Sequence, residues 1–334
     1  MGKNKKQPLM QVENLKKYYP IKSGVLTRTV GYTKAVDGVG FSVRKGEILG
    51  LVGESGCGKS TIGKMLIGLE KPTEGSVFYQ DLDLAKIRWK KEKQLRTKLQ
   101  MVFQDPYSAL NPRKRVFEIL AEPMLYHKIS TKKTVRRDVC ELFDMVGLQE
   151  SILERYPHEF SGGQRQRIEI AKALSLKPEL LVCDEPVSAL DVSVQSQILN
   201  LLKSLQKELN LTMLFIGHGL GAVHYVSDRI AVMYQGKIME IGSAFEVFHQ
   251  PLHPYTKALL QALPIPDPKW RKKESSMLTE EIENGEVLLS GCRFYLRCPY
   301  AQERCRKQEP FLMESGRETD HFAACWLVEN REER

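Results

Sequence analysis

A chain of 334 residues with 42% hydrophobic and 27% charged residues can bury a substantial core without covalent staples. Its net charge of +9 is spread along the chain, densest at Lys3–Lys6, Lys86–Lys98 and Lys269–Lys273, and lacks the interleaved aromatics of a single-strand nucleic-acid groove. No run approaches the roughly 20 apolar residues that cross a bilayer, and the first thirty residues lack a secretory signal's apolar core, so a cytosolic chain reaching membranes only through partners is expected.

Residues 47–53 read as a short buried strand, followed by a Gly-rich turn and an apolar helix from Lys59 to about Leu69. The turn, Gly53-Glu54-Ser55-Gly56-Cys57-Gly58-Lys59-Ser60, fits G-x-x-x-x-G-K-[ST]. Gly53, Gly56 and Gly58 let the backbone around Ser55 wrap with N–H groups turned inward on phosphate oxygens, and the helix adds its positive dipole end. Lys59 is expected to neutralise the β and γ phosphates, Ser60 to ligate Mg²⁺ and Thr61 to touch a phosphate. This turn is a nucleotide site.

From about residue 105 to residue 176 the pattern becomes helical, with expected breaks at Pro106, Pro112, Pro123 and Pro157. Within it, Ser161-Gly162-Gly163-Gln164 opens a helix with a small polar start, a second anion-binding end. Residues 179–184 and 212–217 are continuous apolar runs, suited to strands buried on both faces of a parallel sheet. Between them a helix carries Ile198, Leu201, Leu202, Leu205 and Leu209 on one face. The alternation predicts an α/β fold of the P-loop NTPase class.

Asp184 and Glu185 stand where an apolar strand ends, beside the phosphate turn in such a sheet. Alone, an Asp-Glu pair there is equally a turn or a helix cap. Beside a phosphate turn, Asp184 suits Mg²⁺ and Glu185 suits polarising the attacking water. His218 ends the next apolar run and would reach the γ phosphate from a neighbouring strand.

In this order the motifs resemble the ATPase subunits of the ABC family across roughly residues 10–250. The resemblance implies a Walker A loop at Gly53 to Ser60, a Q-loop at Gln104, which also reaches Mg²⁺, a signature at Ser161 to Gln164, and Walker B at Asp184 and Glu185. It further implies a D-loop at Ser188 to Asp191, a switch histidine at His218, and adenine stacking by Tyr19, with Tyr18 and Tyr32 as alternatives. Catalysis then falls to Glu185, His218 and Lys59. Domains are expected at 1–255 for the nucleotide-binding domain, with a helical subdomain at about 105–176, and at 256–334 for a linker and Cys-rich extension.

The runs 104–113, 155–159, 186–193 and 251–256, with the Cys tail, are similar to those of oligopeptide and dipeptide importer ATPases, especially the second of the two paired ATPase subunits. That branch implies a heterodimer with a homologous ATPase subunit, two transmembrane permease subunits and an extracytoplasmic binding protein, at the cytoplasmic face of the membrane. Nickel and metallophore importers share most of these motifs. A translation-type member would carry two nucleotide domains and a repair-type member long insertions, so no nucleic-acid partner is expected. This chain departs from the family beside the switch histidine, where Gly217 and Gly219 replace a small residue and an aspartate.

Four of the seven cysteines, Cys292, Cys298, Cys305 and Cys325, crowd the tail with spacing C-x5-C-x6-C-x19-C. In a reducing compartment such a cluster suggests metal rather than disulfides, and four thiolates can hold zinc or an iron–sulfur cluster. The family resemblance implies a [4Fe–4S] cluster, with Zn²⁺ as the alternative. Free thiols packing a small tail are the plainer reading. Arg293, Arg297, Arg304 and Arg306 stand close by as countercharges or as ordinary surface.

Overall fold

The computed structural model describes residues 8–23, 28–87, 89–263, 290–316 and 320–329. The sequence predicts a Pro-rich linker from Pro254 through Pro264, Pro266 and Pro268 to Glu286. Its start is instead the helix Pro254–Gln261, where Pro254 takes the first helical turn that tolerates proline. Its remainder from Pro264, with the basic runs Lys3–Lys6 and Lys269–Lys273, lies outside the described residues.

In chain order the elements are β1 (Pro8–Ser23), β2 (Arg28–Arg44), β3 (Ile48–Val52), α1 (Lys59–Leu66), β4 (Glu74–Tyr79), β5 (Leu82–Asp83), α2 (Trp89–Lys98) and β6 (Leu99–Val102). Four helices follow, α3 (Pro106–Ala109), α4 (Val116–Tyr126), α5 (Val135–Met145) and α6 (Gly162–Leu174). Then come β7 (Leu180–Asp184), α7 (Val192–Leu209), β8 (Thr212–Gly217), α8 (Leu220–Val226), β9 (Arg229–Tyr234), β10 (Lys237–Ser243), α9 (Ala244–His249) and α10 (Pro254–Gln261). The tail adds α11 (Glu303–Lys307), β11 (Met313–Glu314), β12 (Phe322–Ala323) and α12 (Trp326–Glu329).

Two sheets organise the molecule. The larger runs β11-β12-β10-β9-β3-β8-β7-β6, and the smaller, antiparallel one runs β2-β1-β4-β5. Strands β9, β3, β8, β7 and β6 are parallel neighbours, and the tail closes the far edge antiparallel to β10. Alternate residues of each central strand face opposite cores, because side chains in a strand alternate. Leu49 and Leu51 join Ile62, Met65 and Leu66 of α1 and the smaller sheet, whereas Ile48 and Val52 join α6, α7 and the helices of 116–145. Both faces of β3, β7 and β8 are covered, which is why these strands read as unbroken apolar runs.

Between β6 and β7 the described residues form helices and turns without a strand. Three of the four prolines sit as expected: Pro106 starts α3, Pro112 lies in a turn, and Pro157 opens a short 3₁₀ turn. Pro123 does not break its helix. It lies inside α4 near the C-terminal end, where the missing N–H costs one ladder bond and the chain continues to Tyr126.

Candidate functional site

Parallel pairing places the carboxyl ends of β3, β8, β7 and β6 side by side. Val52 pairs with Gly217, Ile216 with Asp184, and Cys183 with Val102. The residues that follow each strand therefore converge on one rim: Gly53, His218, Glu185 and Gln104. Four motifs separated by up to 165 residues meet because the sheet brings their strand ends together.

The loop after β3 wraps as expected. Gly58 has φ +106, and a Cβ there would lie 2.1 Å from the carbonyl of Ala35, so only glycine fits. Lys59 is 4% exposed and donates from Nζ to the carbonyls of Gly53 at 2.8 Å and Glu54 at 2.9 Å. Its ammonium is thus held at the mouth of the loop, within reach of any anion seated there. Ser60 donates to Asp184 Oδ1 at 2.8 Å, joining two expected Mg²⁺ contacts. Burial raises the Asp184 pKa; the Ser60 hydrogen bond opposes this and adjacent Glu185 adds to it. A cation inserted between the two side chains would relieve that burial.

Glu185 is 6% exposed and its backbone sits at φ 49, a left-handed value that is strained outside glycine. The N–H donates to Ile216 at 3.0 Å, fixing the turn against β8. One carboxylate oxygen accepts from Gln104 Nε2 at 2.7 Å, and the other meets His218 Nε2 at 2.6 Å. Glu185, Gln104 and His218 form one triad. His218 remains 43% exposed, open to a neighbour above the rim.

Tyr19 lies on β1 at 37% exposure, and its hydroxyl interacts with Glu70 and Thr61, the latter on α1 beside the loop. Tyr18 instead bonds Asp37, and Tyr32 is 62% exposed. Of the three tyrosines, Tyr19 is the one tied to the start of α1, just after the loop.

The Ser161–Gln164 segment is placed differently. Ser161 caps α6, accepting from the Gln164 N–H at 3.4 Å while its own N–H donates to the Gln164 amide oxygen at 3.1 Å. Ser161, Gly162 and Gln164 are exposed, with Gly163 half-buried. Among the described residues no hydrogen bond or ion pair joins this segment to the loop of 53–60. Asp191 is also exposed and N-caps α7 without a side-chain bond.

The four tail cysteines line one small cavity together with His253, Phe294 and Trp326. The space measures about 20 Å³, little more than one water occupies. Burial pushes the Cys292 thiol up to about 12 and the Cys325 thiol to about 11. Among the described residues no group of three or more His, Cys, Asp and Glu side chains stands in a metal-holding arrangement. The four expected ligands are thus brought round one common space, but they do not stand in the arrangement of a metal site.

Sequence reasoning did not attach the tail to the phosphate loop. Yet Tyr255 and Arg297 both bond Glu54, and no local pattern announces a contact across 243 residues. Glu169 was also missed. Buried on α6, it accepts from the N–H of Phe103, next to Gln104, at 2.6 Å.

Comparison with known proteins agrees with this geometry. The ABC transporter family profile matches residues 36–188, and that of the oligopeptide/dipeptide transporter C-terminal region matches residues 239–305. The chain is 49% identical to the oligopeptide transport ATP-binding protein AppF of Bacillus subtilis, over 96% of this chain and 98% of that one. It is 46% identical to the oligopeptide transport ATP-binding protein OppF of Escherichia coli, over 96% of both. Among solved structures, the dimeric post-hydrolysis state of the ATP-binding cassette MJ0796 bound to ADP and Pi superposes with a TM-score of 0.63 at 27% identity, covering 70% of this chain and 98% of that one. Similar along nearly its whole length to these relatives, and carrying the strand-end cluster just described, the chain is an ATPase that belongs to the ABC transporter ATP-binding proteins of the oligopeptide/dipeptide family.

Proposed function

We propose that this ATPase powers import of dipeptides or oligopeptides, as one half of a nucleotide-sandwich pair with a second, homologous ATPase subunit. The observation that carries the pairing is the separation of parts. Loop, Mg²⁺ residues and Glu185 triad are assembled within the chain, while Ser161, Gly162 and Gln164 are exposed and, among the described residues, make no bond to that loop. A helix start of that kind fits over the phosphates held by another copy's loop. The names of the relatives, oligopeptide transport ATP-binding proteins, support the cargo class.

In this reading Lys59 turns from the loop carbonyls to the β and γ phosphates, and the loop N–H groups hold the rest of the triphosphate. Ser60, Asp184 and Gln104 would hold Mg²⁺, which spreads the charge on the transferred phosphoryl group. Their donor types fit that ion: a hydroxyl, a buried carboxylate and an amide oxygen. Glu185 accepts a hydrogen bond from the attacking water, and His218 orients Glu185 while facing the γ phosphate. Tyr19 stacks on adenine. Asp191 and the partner's equivalent line the joint between subunits.

We take residues 1–255 as the nucleotide-binding domain, with a helical subdomain at about 105–176, and 256–334 as linker and Cys-rich extension. The run of helices between β6 and β7 supports the first division. Two transmembrane permease subunits and an extracytoplasmic binding protein complete the assembly, with this chain peripheral at the cytoplasmic face. No helix among the described residues is long and apolar enough to cross a membrane. Exposed Tyr107, next to the Gln104 loop and under the Arg165 guanidinium at 4.2 Å, suits contact with a permease. We also assign Cys292, Cys298, Cys305 and Cys325 as ligands of a [4Fe–4S] cluster or Zn²⁺, supported by their common cavity. Metal analysis with visible absorbance of the purified assembly separates these from free thiols.

The central test is Glu185→Gln in the purified transporter. Nucleotide binding should persist, steady-state hydrolysis should fall about 100-fold or more, and ATP should trap a closed pair resolvable by size. Hydrolysis retained at this subunit's site would remove Glu185 from its role.

A further inference from the structure

Glu54, the second residue of the phosphate loop, has all its polar groups engaged, its carbonyl by the loop itself and the others by distant residues. Its N–H donates to Tyr255 Oη at 3.1 Å, and its carbonyl accepts from Lys59 Nζ at 2.9 Å. Its two carboxylate oxygens accept from Arg297 Nη1 at 3.0 and 3.1 Å. Arg297 comes from the Cys-rich tail, one residue before Cys298.

This contact differs from an ordinary surface pair. The Arg297 side chain is 14% exposed, Nη1 also donates to Tyr234 Oη at 3.3 Å, and its guanidinium lies 5.7 Å from the ring centroids of both Tyr234 and Phe294. Those rings pack with Tyr255 at centroid separations of 4.7 to 5.4 Å. The arginine is therefore held in place before it meets Glu54, so little freedom is lost in making the pair. A second arm runs from the same segment. Buried Arg293 pairs with Asp37 at 2.6 Å, the Asp37 N–H donates to Gly236, and the Gly236 N–H donates to Cys57 of the loop at 3.0 Å. The tail thus meets the phosphate loop directly at Glu54 and, through Asp37 and Gly236, at Cys57.

We propose that Arg297 is a positioning residue for ATP hydrolysis, through which the Cys-bearing tail fixes the loop conformation that receives the phosphates. Because loop shape serves ground state and transition state alike, its loss weakens nucleotide binding more than turnover. Coupling between two sites is reciprocal. Nucleotide in the loop must therefore also steady the tail. The inference rests on residues 53–60 being the ATP site.

The test is made on the full transporter. Arg297→Gln should raise KM for ATP about 5- to 10-fold with kcat within about twofold. Arg297→Lys should recover part of the loss, keeping the charge without the fork. Glu54→Gln, which leaves the tail's own packing intact, should shift KM alike, and the double variant should be no worse than either single one. A non-hydrolysable ATP analogue with Mg²⁺ should slow backbone hydrogen exchange over residues 292–298 in the wild type, and not in Arg297→Gln. Should Arg297→Gln fail to assemble, Glu54→Gln and the exchange of the wild type decide the matter. The proposal is overturned if Glu54→Gln leaves KM within twofold, if the two substitutions multiply, or if nucleotide leaves exchange over residues 292–298 unchanged. Lys59→Ala separates the underlying reading: nucleotide affinity lost there but unchanged in Glu54→Gln rejects only the clamp, whereas affinity retained in Lys59→Ala rejects the site itself.

Discussion

The rim at the strand ends and the start of α6 are the two regions proposed to meet phosphate, and they are finished to different degrees. At the rim, Lys59, Ser60, Asp184, Gln104, Glu185 and His218 are already bonded to one another or to the loop, round a buried centre of Lys59, Asp184 and Glu185. At the start of α6 the capping box uses Ser161 and Gln164 on each other, and the first N–H groups of a helix have no partner of their own. A buried network can be satisfied within one chain, whereas an exposed helix end waits for something outside it. The contrast is the ground on which the pairing with a second subunit is proposed.

The largest expected effect breaks the finished side. Lys59→Ala removes the one ammonium at the loop mouth and should lower nucleotide affinity and reduce hydrolysis at this loop on the order of 10³-fold. Equilibrium binding of a labelled nucleotide beside steady-state turnover checks it. Breaking the unfinished side should look different. Ser161→Arg places a bulky cation where the partner's nucleotide would sit, and should lower turnover of the assembly by on the order of tenfold while nucleotide binding at this chain's own loop stays unchanged. Equal losses of binding in the two variants would mean that both regions serve one intrachain site.

Between the two regions runs a single buried carboxylate. Glu169, on the helix that Ser161 caps, accepts from Phe103 beside Gln104, and its other oxygen is unpaired. Burial pushes its pKa up to about 7. The folded state therefore binds a proton that the unfolded state releases above pH 4.5, and stability falls as pH rises from there to about 7, then levels off. The deficit at pH 8 is on the order of 3 kcal/mol. Glu169→Gln keeps an oxygen for the Phe103 N–H and removes the titration. Denaturant unfolding should show the variant more stable than wild type at pH 8 and nearly equal at pH 4.5. A constant difference at all pH values would mean that Glu169 does not titrate.

How much of this was legible follows from the range of each interaction. The rim motifs could be read because each needs its own residue types at fixed local spacing after an apolar strand. Their convergence then followed from parallel pairing. Strand β1 was harder, because register shifts near Val12 and Leu15 and a left-handed Asn14 break the alternation of Leu9, Met10, Val12 and Leu15. Pro123 misled because a proline near the end of a helix forfeits little. The tail was least legible. Its strand β12 pairs with β10 over two residues only, and Arg297 meets Glu54 across 243 residues, so neither leaves a periodic trace. The cysteine spacing suggested a ligand set, but spacing alone does not set how far apart the sulfurs stand.

The smallest effect concerns the glycines flanking the expected switch histidine, where the sequence departs from its family. The two are not alike. A Cβ on Gly217 would lie 2.8 Å from Val223 Cγ2, so that glycine lets α8 pack close against β8. Gly219 has φ −87 at the N-cap of α8, and a Cβ there would meet nothing within 4 Å. An aspartate is therefore accommodated at 219 and supplies the side-chain acceptor that the cap now lacks. Gly219→Asp should raise stability by a few tenths of a kcal/mol, and Gly217→Ala should lower it by about 1 kcal/mol. Because position 219 follows exposed His218 on the open rim, the added carboxylate faces the unfinished side of the site. If a partner's surface closes there, Gly219→Asp should change the lifetime of the ATP-trapped pair formed with Glu185→Gln, while Gly217→Ala leaves it alone. An unchanged lifetime in both would move the joint between subunits away from the switch histidine.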